Sequence, residues 1–259
     1  MSKLNYGCQN LTAVISGGTS GIGLATAIKL AADDAKVYLL GRDKARGIAA
    51  LKALREQTNK EAHFIVCDIT KKASCMEALA AIAKLEAKAD WQLDILVNSA
   101  GVYAEQRLEN MTEEAYNEIM DTNVKGTMLL TQACLPKMYQ GGSIINVASD
   151  AGVSGNYGCP VYCASKGAIV SLTRALALDL APHIRVNCVC PADVDTPLLA
   201  RQLVDADGGY TLADMAAAYP IGRIGRAEEI AHVICSLASP ANSFMTGSIV
   251  TVDGGLTAG

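Results

Sequence analysis

Basic residues are scarce: 22 lysines and arginines stand against 26 aspartates and glutamates, a formal net charge of −4, and the longest basic run is Lys71-Lys72. Phosphate backbones are held by concentrated positive charge, so nucleic acid is not an expected partner. Long apolar runs are also missing. Every apolar stretch is broken by polar residues or glycine before the roughly 18 residues needed to span a bilayer. The opening residues, Met1-Ser2-Lys3-Leu4-Asn5-Tyr6-Gly7, hold no apolar segment of a secretion signal. The expectation is a soluble, unexported protein with no membrane role. The nine cysteines form neither a CxxC pair nor a Cys/His cluster at zinc-ligand spacing, which fits reduced thiols in a cytoplasmic chain. His63, His183 and His232 show no metal-ligand or triad arrangement, so no metal is expected, and Trp91 reads as a packing residue.

What is present is apolar material. With 51% hydrophobic and 19% charged residues over 259 positions, the chain can bury a large core, and disorder as the main state is excluded. Short β-branched or leucine-rich runs recur at Leu11–Ser16, Lys36–Leu40, His63–Cys67, Leu93–Asn98, Ser143–Ala148, Ile184–Cys190 and Ser248–Val252, separated by alanine-rich stretches of helical character. That alternation predicts an α/β fold: a doubly wound, Rossmann-like parallel sheet of about seven strands with helices on both faces. No linker, repeat or low-complexity tract interrupts it, so residues 1–259 read as one domain. The rhythm slackens only over 192–226. A connection that long, leaving the carboxyl end of a strand, reads as a substrate lid, with short helices expected near Leu198–Val204 and Leu212–Ala218 around the Asp205–Gly209 stretch.

After the first strand comes Ser16-Gly17-Gly18-Thr19-Ser20-Gly21-Ile22-Gly23 and then a helical run. Gly17, Gly21 and Gly23 allow a sharp turn, let backbone N–H groups approach a pyrophosphate, and pack helix against strand. Cofactor preference is written where the second strand ends. An acid at position 41 would bind a ribose 2′-hydroxyl, but Gly41 leaves that place empty and Arg42 offers a charge-assisted contact to a 2′-phosphate. NADP(H) is favoured and NAD(H) stays possible, since Asp43 either reaches the ribose or caps the following helix.

The chemically richest stretch is Ser149 through Tyr162-Cys163-Ala164-Ser165-Lys166, with Pro160 fitting the first turn of a helix. Tyr162 and Lys166, four residues apart, then share one face near the positive helix end. A tyrosine acting as a base near neutrality needs its pKa of about 10 lowered by roughly three units. A partly desolvated Lys166, the helix terminus and an oxidised nicotinamide together could provide that.

At this point the sequence resembles the short-chain dehydrogenase/reductase family, from about Leu11 to Gly255. The resemblance carries the glycine turn, Asp68 and Ile69 after the third strand, and Asn98-Ser99-Ala100-Gly101 in place of Asn-Asn-Ala-Gly. It also carries Asn123, Ser149 thirteen residues before Tyr162, and Pro191-Ala192-Asp193-Val194-Asp195-Thr196. It implies a cofactor site of Gly17, Thr19, Ser20, Gly21, Ile22, Gly23, Arg42, Asp68, Ile69, Asn98, Ala100, Gly101, Tyr162, Lys166, Pro191, Val194 and Thr196, and a catalytic set of Asn123, Ser149, Tyr162 and Lys166. The implied reaction is hydride transfer between a nicotinamide and a secondary alcohol or ketone. Tyr162 is general acid/base, Ser149 donates to the reacting oxygen, Lys166 holds the ribose and lowers the tyrosine pKa, and Asn123 anchors a proton-carrying water. Ser149, Asp150, Tyr157 and Tyr162 are candidate substrate contacts. The specific activity stays open among 3-oxoacyl-thioester reductase, hydroxysteroid dehydrogenase and sugar or cyclic-alcohol oxidoreductase. A catalytically silent nicotinamide-binding scaffold or sensor is the reading from another class. Family members pair through the tyrosine helix and its neighbour, so a homo-oligomer, dimer or homotetramer, is expected.

Overall fold

The computed structural model describes residues 5–87, 90–200 and 211–258. Seven strands, β1 (Thr12–Ser16), β2 (Lys36–Gly41), β3 (His63–Val66), β4 (Leu93–Asn98), β5 (Met138–Val147), β6 (Ile184–Pro191) and β9 (Ile249–Val252), form one sheet in the order β3-β2-β1-β4-β5-β6-β9. All pairings are parallel. Each expected strand is therefore present. β5 begins earlier than expected, at Met138, because the ladder runs on ahead of Ser143: Gly142 pairs with Ile184 and Met138 with Leu93.

The period-two alternation of the strands sorts their side chains into two cores. Ala13, Ile15, Val37, Leu39, Val97, Ile145 and Val189 face one way, packing with helices α1 (Gly21–Ala32), α2 (Lys44–Thr58) and the helix Ala227–Ala238. Val14, Tyr38, Leu40, Leu96, Ile144 and Val186 face the other way, with α3 (Lys72–Glu86), α5 (Thr127–Cys134) and α6 (Pro160–Leu180). Burial on both faces explains why the inner runs are apolar nearly throughout, while the edge strands β3 and β9 are only partly buried. α6 is the one described helix long and apolar enough to cross a membrane. Here Ile169, Val170, Thr173 and Ala177 bury one of its faces in the fold.

The strand order reverses direction beside β1, where the next element in sequence after β3 is inserted at β4. Ligands of open α/β sheets bind outside such a reversal. Ser16 ties the two carboxyl ends there, its Oγ accepting from the N–H groups of Ser99 (3.2 Å) and Ala100 (3.3 Å). A second knot lies at the far end, where Arg185 donates to the carbonyls of Leu237 (3.0 Å), Met245 (3.2 Å), Ala238 (3.3 Å) and Ser239 (3.2 Å), satisfying the end of helix Ala227–Ala238. Arg185→Met leaves those carbonyls without this donor. It is expected to cost roughly 2–3 kcal/mol, read as a lower urea midpoint at unchanged slope; an unchanged midpoint would show that the knot carries no stability.

Candidate active site

The glycine turn is held by contact. Gly17 has φ +66°, and a Cβ on it would lie 2.8 Å from the Ala100 nitrogen; a Cβ on Gly23 would lie 2.4 Å from the Gly17 carbonyl oxygen. No side chain could stand at either place, so the turn after β1 presses against the turn after β4 and α1 presses onto the turn after β1. Ser20, the residue before α1, makes no capping bond, and the first turn of α1 holds no acid. A helix start of this kind presents N–H donors and partial positive charge with no internal partner. Gly17, Ser20, Gly21, Ile22 and Gly23 line a cleft of about 600 Å³. An open donor-lined helix end over a backbone that only glycine permits fits the pyrophosphate of a dinucleotide.

Other expected cofactor residues stand outside that cleft, at the ends of β2, β3 and β4. Arg42 is exposed, and a Cβ on Gly41 would lie 2.9 Å from the Thr19 methyl, so position 41 is closed to an acid unless Thr19 moves. Asp43 caps α2, accepting from the N–H groups of Ala45 (2.8 Å) and Arg46 (3.1 Å). Asp68 forms a local turn, accepting from the Thr70 N–H (3.1 Å) and hydroxyl (2.7 Å). Burial works against its charge, but the Thr70 bonds and the Lys71 ammonium hold its carboxyl below the ordinary range. Ile69 is buried against Gly126. Asn98 is buried, donating to Thr131 (3.0 Å) and Asn146 (2.9 Å), while its side-chain oxygen has no hydrogen-bond partner among the described residues.

Ser149, Tyr162 and Lys166 meet on the cleft, together with Ala100, Gly101, Asp150, Tyr157, Pro191, Val194 and Thr196. Ser149 follows β5, while Pro160 opens α6 and sets Tyr162 and Lys166 one turn apart. Lys166 Nζ donates to the Val147 carbonyl (3.1 Å) and lies 5.7 Å from the Tyr162 ring centre. Burial lowers the lysine pKa to about 8 and raises that of the Tyr162 phenol, against the neighbouring Ser149 hydroxyl, which lowers it, and with the Asp150 charge, which raises it further. The free chain thus keeps the phenol protonated: desolvation disfavours both charged forms, and the ammonium beside the ring does not offset it.

Asn123 lies behind the cleft in a π-helical segment, Asp121–Gly126. Its amide accepts from the Val102 N–H (2.8 Å) and donates to the Val102 carbonyl (3.0 Å) and Ser165 Oγ (3.0 Å); Ser165 in turn donates to the Tyr162 carbonyl (2.7 Å). Asn123 therefore joins the post-β4 loop to α6. Ser165 is a member of the site that the sequence names without a role. Two more cleft residues, Tyr103 and Glu105, escape sequence reading, and a third, Asp193, is named there without a role. Tyr103 packs edge-on against Tyr162 with ring centres 4.8 Å apart, and Glu105 stands beside it. The half-buried Asp193, its pKa raised by desolvation, accepts from the Tyr219 hydroxyl at 2.8 Å. These contacts join residues far apart in the chain or without a motif, so no local spacing marks them.

Of the described residues within 192–226, Ala192, Asp193, Val194, Thr196, Pro197 and Met215 are among those that line the cleft. β7 (Val194–Asp195) pairs with β8 (Gly225–Arg226), clipping the two ends together. Between them lies the expected second short helix, observed as Leu212–Ala217, whose buried Met215 reaches the cleft with Leu198 and Leu199. Residues 197–200 begin the first; the rest of it and the Asp205–Gly209 stretch lie outside the described residues.

The sheet order and the groups gathered at its reversal define a class: an oxidoreductase on a dinucleotide-binding sheet. Residues 17–257 match a family described as Enoyl-(Acyl carrier protein) reductase. Among curated proteins, 2-(S)-hydroxypropyl-CoM dehydrogenase 3 of Xanthobacter autotrophicus is 38% identical over 255 residues, 96% of this chain and 98% of that protein. Among solved structures, a short-chain dehydrogenase/reductase of Brucella melitensis titled as a glucose/ribitol dehydrogenase matches at TM-score 0.88 and 31% identity, covering 98% of this chain and 99% of that one. An actinorhodin polyketide ketoreductase with NADPH matches at TM-score 0.88 and 30% identity, covering 95% and 97%. The chain belongs to the short-chain dehydrogenase/reductase family, and is an NAD(P)-dependent oxidoreductase of the alcohol/ketone type.

The buried lysine gives a test by stability. Below about pH 8 folded and unfolded chains both hold its proton, so the full cost of burying the charge is present. Between about 8 and 10.5 the unfolded chain holds more protons, and stability from this group rises with pH. Lys166→Met is therefore expected to be more stable than the parent at pH 7, by on the order of 1–3 kcal/mol, with the gain shrinking toward pH 10.5. A variant less stable at pH 7 would contradict the burial cost.

Proposed function

We propose that Tyr162, Ser149 and Lys166 interconvert a small-molecule secondary alcohol and its ketone. The observation that carries this is the meeting of the three side chains in the cleft that the uncapped start of α1 also enters. A bound nicotinamide supplies or accepts the hydride and, when oxidised, brings the positive charge that alcohol oxidation needs beside the phenol. Tyr162, protonated in the free chain, is the acid that neutralises the oxygen of a ketone as it gains charge. Ser149 Oγ, now donating to Asp150 Oδ1 at 2.7 Å and accepting from the Ala151 N–H at 3.2 Å, turns its proton to that oxygen. Lys166 holds the nicotinamide ribose. The Asn123 side chain is fully engaged. Its carbonyl, which accepts from Thr127 Oγ1 (2.8 Å), is the place for a water that passes protons outward.

The cofactor reading is NADP(H) over NAD(H). It rests on the exposed Arg42, on Asp43 being engaged as a helix cap, and on the closed position 41. Residues 192–226 act as the lid of a single domain, and Tyr157, wholly exposed at the cleft rim, and Asp150 are substrate contacts. Asp150, Asp193 and Glu105 line the cleft, and Lys166 is the one cation among its described lining residues. Carboxylates so placed repel an anionic substrate, which favours a neutral or cationic alcohol over an acyl group on an anionic carrier. Nine free cysteines support a reducing, cytoplasmic setting. The exposed Leu178 of α6 and Met128 of α5 support self-association into a dimer or tetramer through those helices.

Tyr162→Phe is expected to lower kcat by roughly 10²–10⁴-fold in a spectrophotometric assay of cofactor consumption on a panel of ketones. Parent-like turnover would overturn the assignment, and cofactor binding without consumption on any substrate would mark a silent scaffold. Arg42→Ala should raise the NADPH KM about tenfold or more while leaving the NADH KM unchanged; an equal effect on both would remove the case for the 2′-phosphate.

A further inference from the structure

Two thiols bracket Tyr162. Cys159 is the residue before α6 and Cys163 lies one turn into it; their sulfurs are 3.8 Å apart, and each lies 3.8 Å from the carbonyl oxygen of Asn156. Two other cysteines also stand close: Cys188 and Cys190 are 3.8 Å apart on β6, but both are fully buried. Cys163 differs in being partly open to solvent, while Cys159 is buried in a small cluster with Ala151, Tyr162 and Tyr103.

We propose that Cys159 and Cys163 are a modification site: a dithiol that a peroxide or a small-molecule disulfide closes to an intrachain disulfide, displacing Tyr162. With a peroxide, the Cys163 sulfur takes one oxygen to become a sulfenic acid and one water leaves. The Cys159 sulfur then attacks it, the S–S bond forms, the Cys159 proton joins the departing hydroxyl, and a second water leaves. Two thiols lose two electrons and two protons, and the peroxide receives them. With a small disulfide, Cys163 forms the mixed disulfide and Cys159 displaces the second small thiol.

The geometry gives the bond its consequence. Residues one helical turn apart hold their Cβ atoms about 5–6 Å apart, whereas a disulfide needs roughly 3.5–4.5 Å, so closure requires the first turn of α6 to deform. The end that can yield is Cys159, whose backbone (φ −139°, ψ 50°) is already outside the helix. Tyr162 lies within the closed loop, and Tyr103 packs on it. The change also reaches Ser149, because the Asn156 side chain donates to Asp150 Oδ2 (3.3 Å) and Asp150 holds Ser149. A bond closed against helical geometry is readily reduced, so the modification reverses.

The activity arm of the test rests on the function proposed above; the bond-forming arm does not. The purified protein is treated with hydrogen peroxide, and separately with glutathione disulfide, then digested without reduction. A peptide joining Cys159 to Cys163 and two hydrogen masses lighter than the reduced form is expected, with turnover falling at least tenfold and returning on dithiothreitol. Cys163→Ser is expected to form no such link and to keep its turnover through the same treatment, with Cys163→Ala as the substitute if the serine variant fails to fold. Recovery of both thiols unchanged, separate oxidation of each sulfur, or a link to another cysteine would overturn the proposal. A link that leaves turnover intact would overturn the displacement of Tyr162. A reduced enzyme that turns over no substrate would instead count against the proposed function, while the peptide map still decides whether the disulfide forms.

Discussion

The buried ammonium of Lys166 is the constraint around which the cleft is arranged. Its partner among the described groups is the Val147 carbonyl at the end of β5, and the α6 helix that carries it must approach the post-β5 turn closely to make that bond. Gly152 permits the approach: a Cβ there would fall 2.6 Å from the Lys166 carbonyl carbon. The same approach places Ser149, Asp150 and Tyr162 together. A charge held in so dry a place is costly to the free fold, which is the usual sign of a group retained for chemistry rather than for stability.

The sheet turns this local arrangement into a site. Parallel strands deliver their carboxyl ends to one edge, and the reversal at β1 and β4 opens a gap there that Gly17 and Ala100 nearly close by contact. Into the gap points the uncapped start of α1, from the other side of the sheet than α6. Two helix starts, one offering N–H groups and one offering a phenol and an ammonium, thus converge on the same cavity.

The sequence carries much of this arrangement in plain form, for physical reasons. Inner strands buried on both faces must be apolar throughout, so β1, β2, β4, β6 and the second half of β5 stand out; the edge strands β3 and β9 are only partly buried and stand out by their β-branched and aromatic residues. The turn at Gly17–Gly23 tolerates no Cβ at its contacts, so its glycines stand out as well. Tyr162 and Lys166 are visible because a helix turn makes a fixed spacing. What the sequence does not display is contact across the chain. Tyr103 on Tyr162, Asp193 on Tyr219, and the Asn123 to Ser165 bond join elements brought together only by the tertiary fold, and no local spacing marks these pairings. The protonation state of the phenol is hidden for a similar reason. The i, i+4 pairing suggests a lysine that lowers the tyrosine pKa, but burial acts on both groups at once and in the free chain it prevails. The cap that Asp43 makes on α2 is likewise visible only in the geometry.

The most direct measurement is an NMR titration of the free protein with 13C-labelled lysine side chains, the Lys166 signal assigned by its loss in Lys166→Met. The account requires that signal to titrate near pH 8, apart from the others. Titration of Lys166 at the ordinary value of about 10.4 would mean that its ammonium is solvated, and the buried pairing with Tyr162 would not stand.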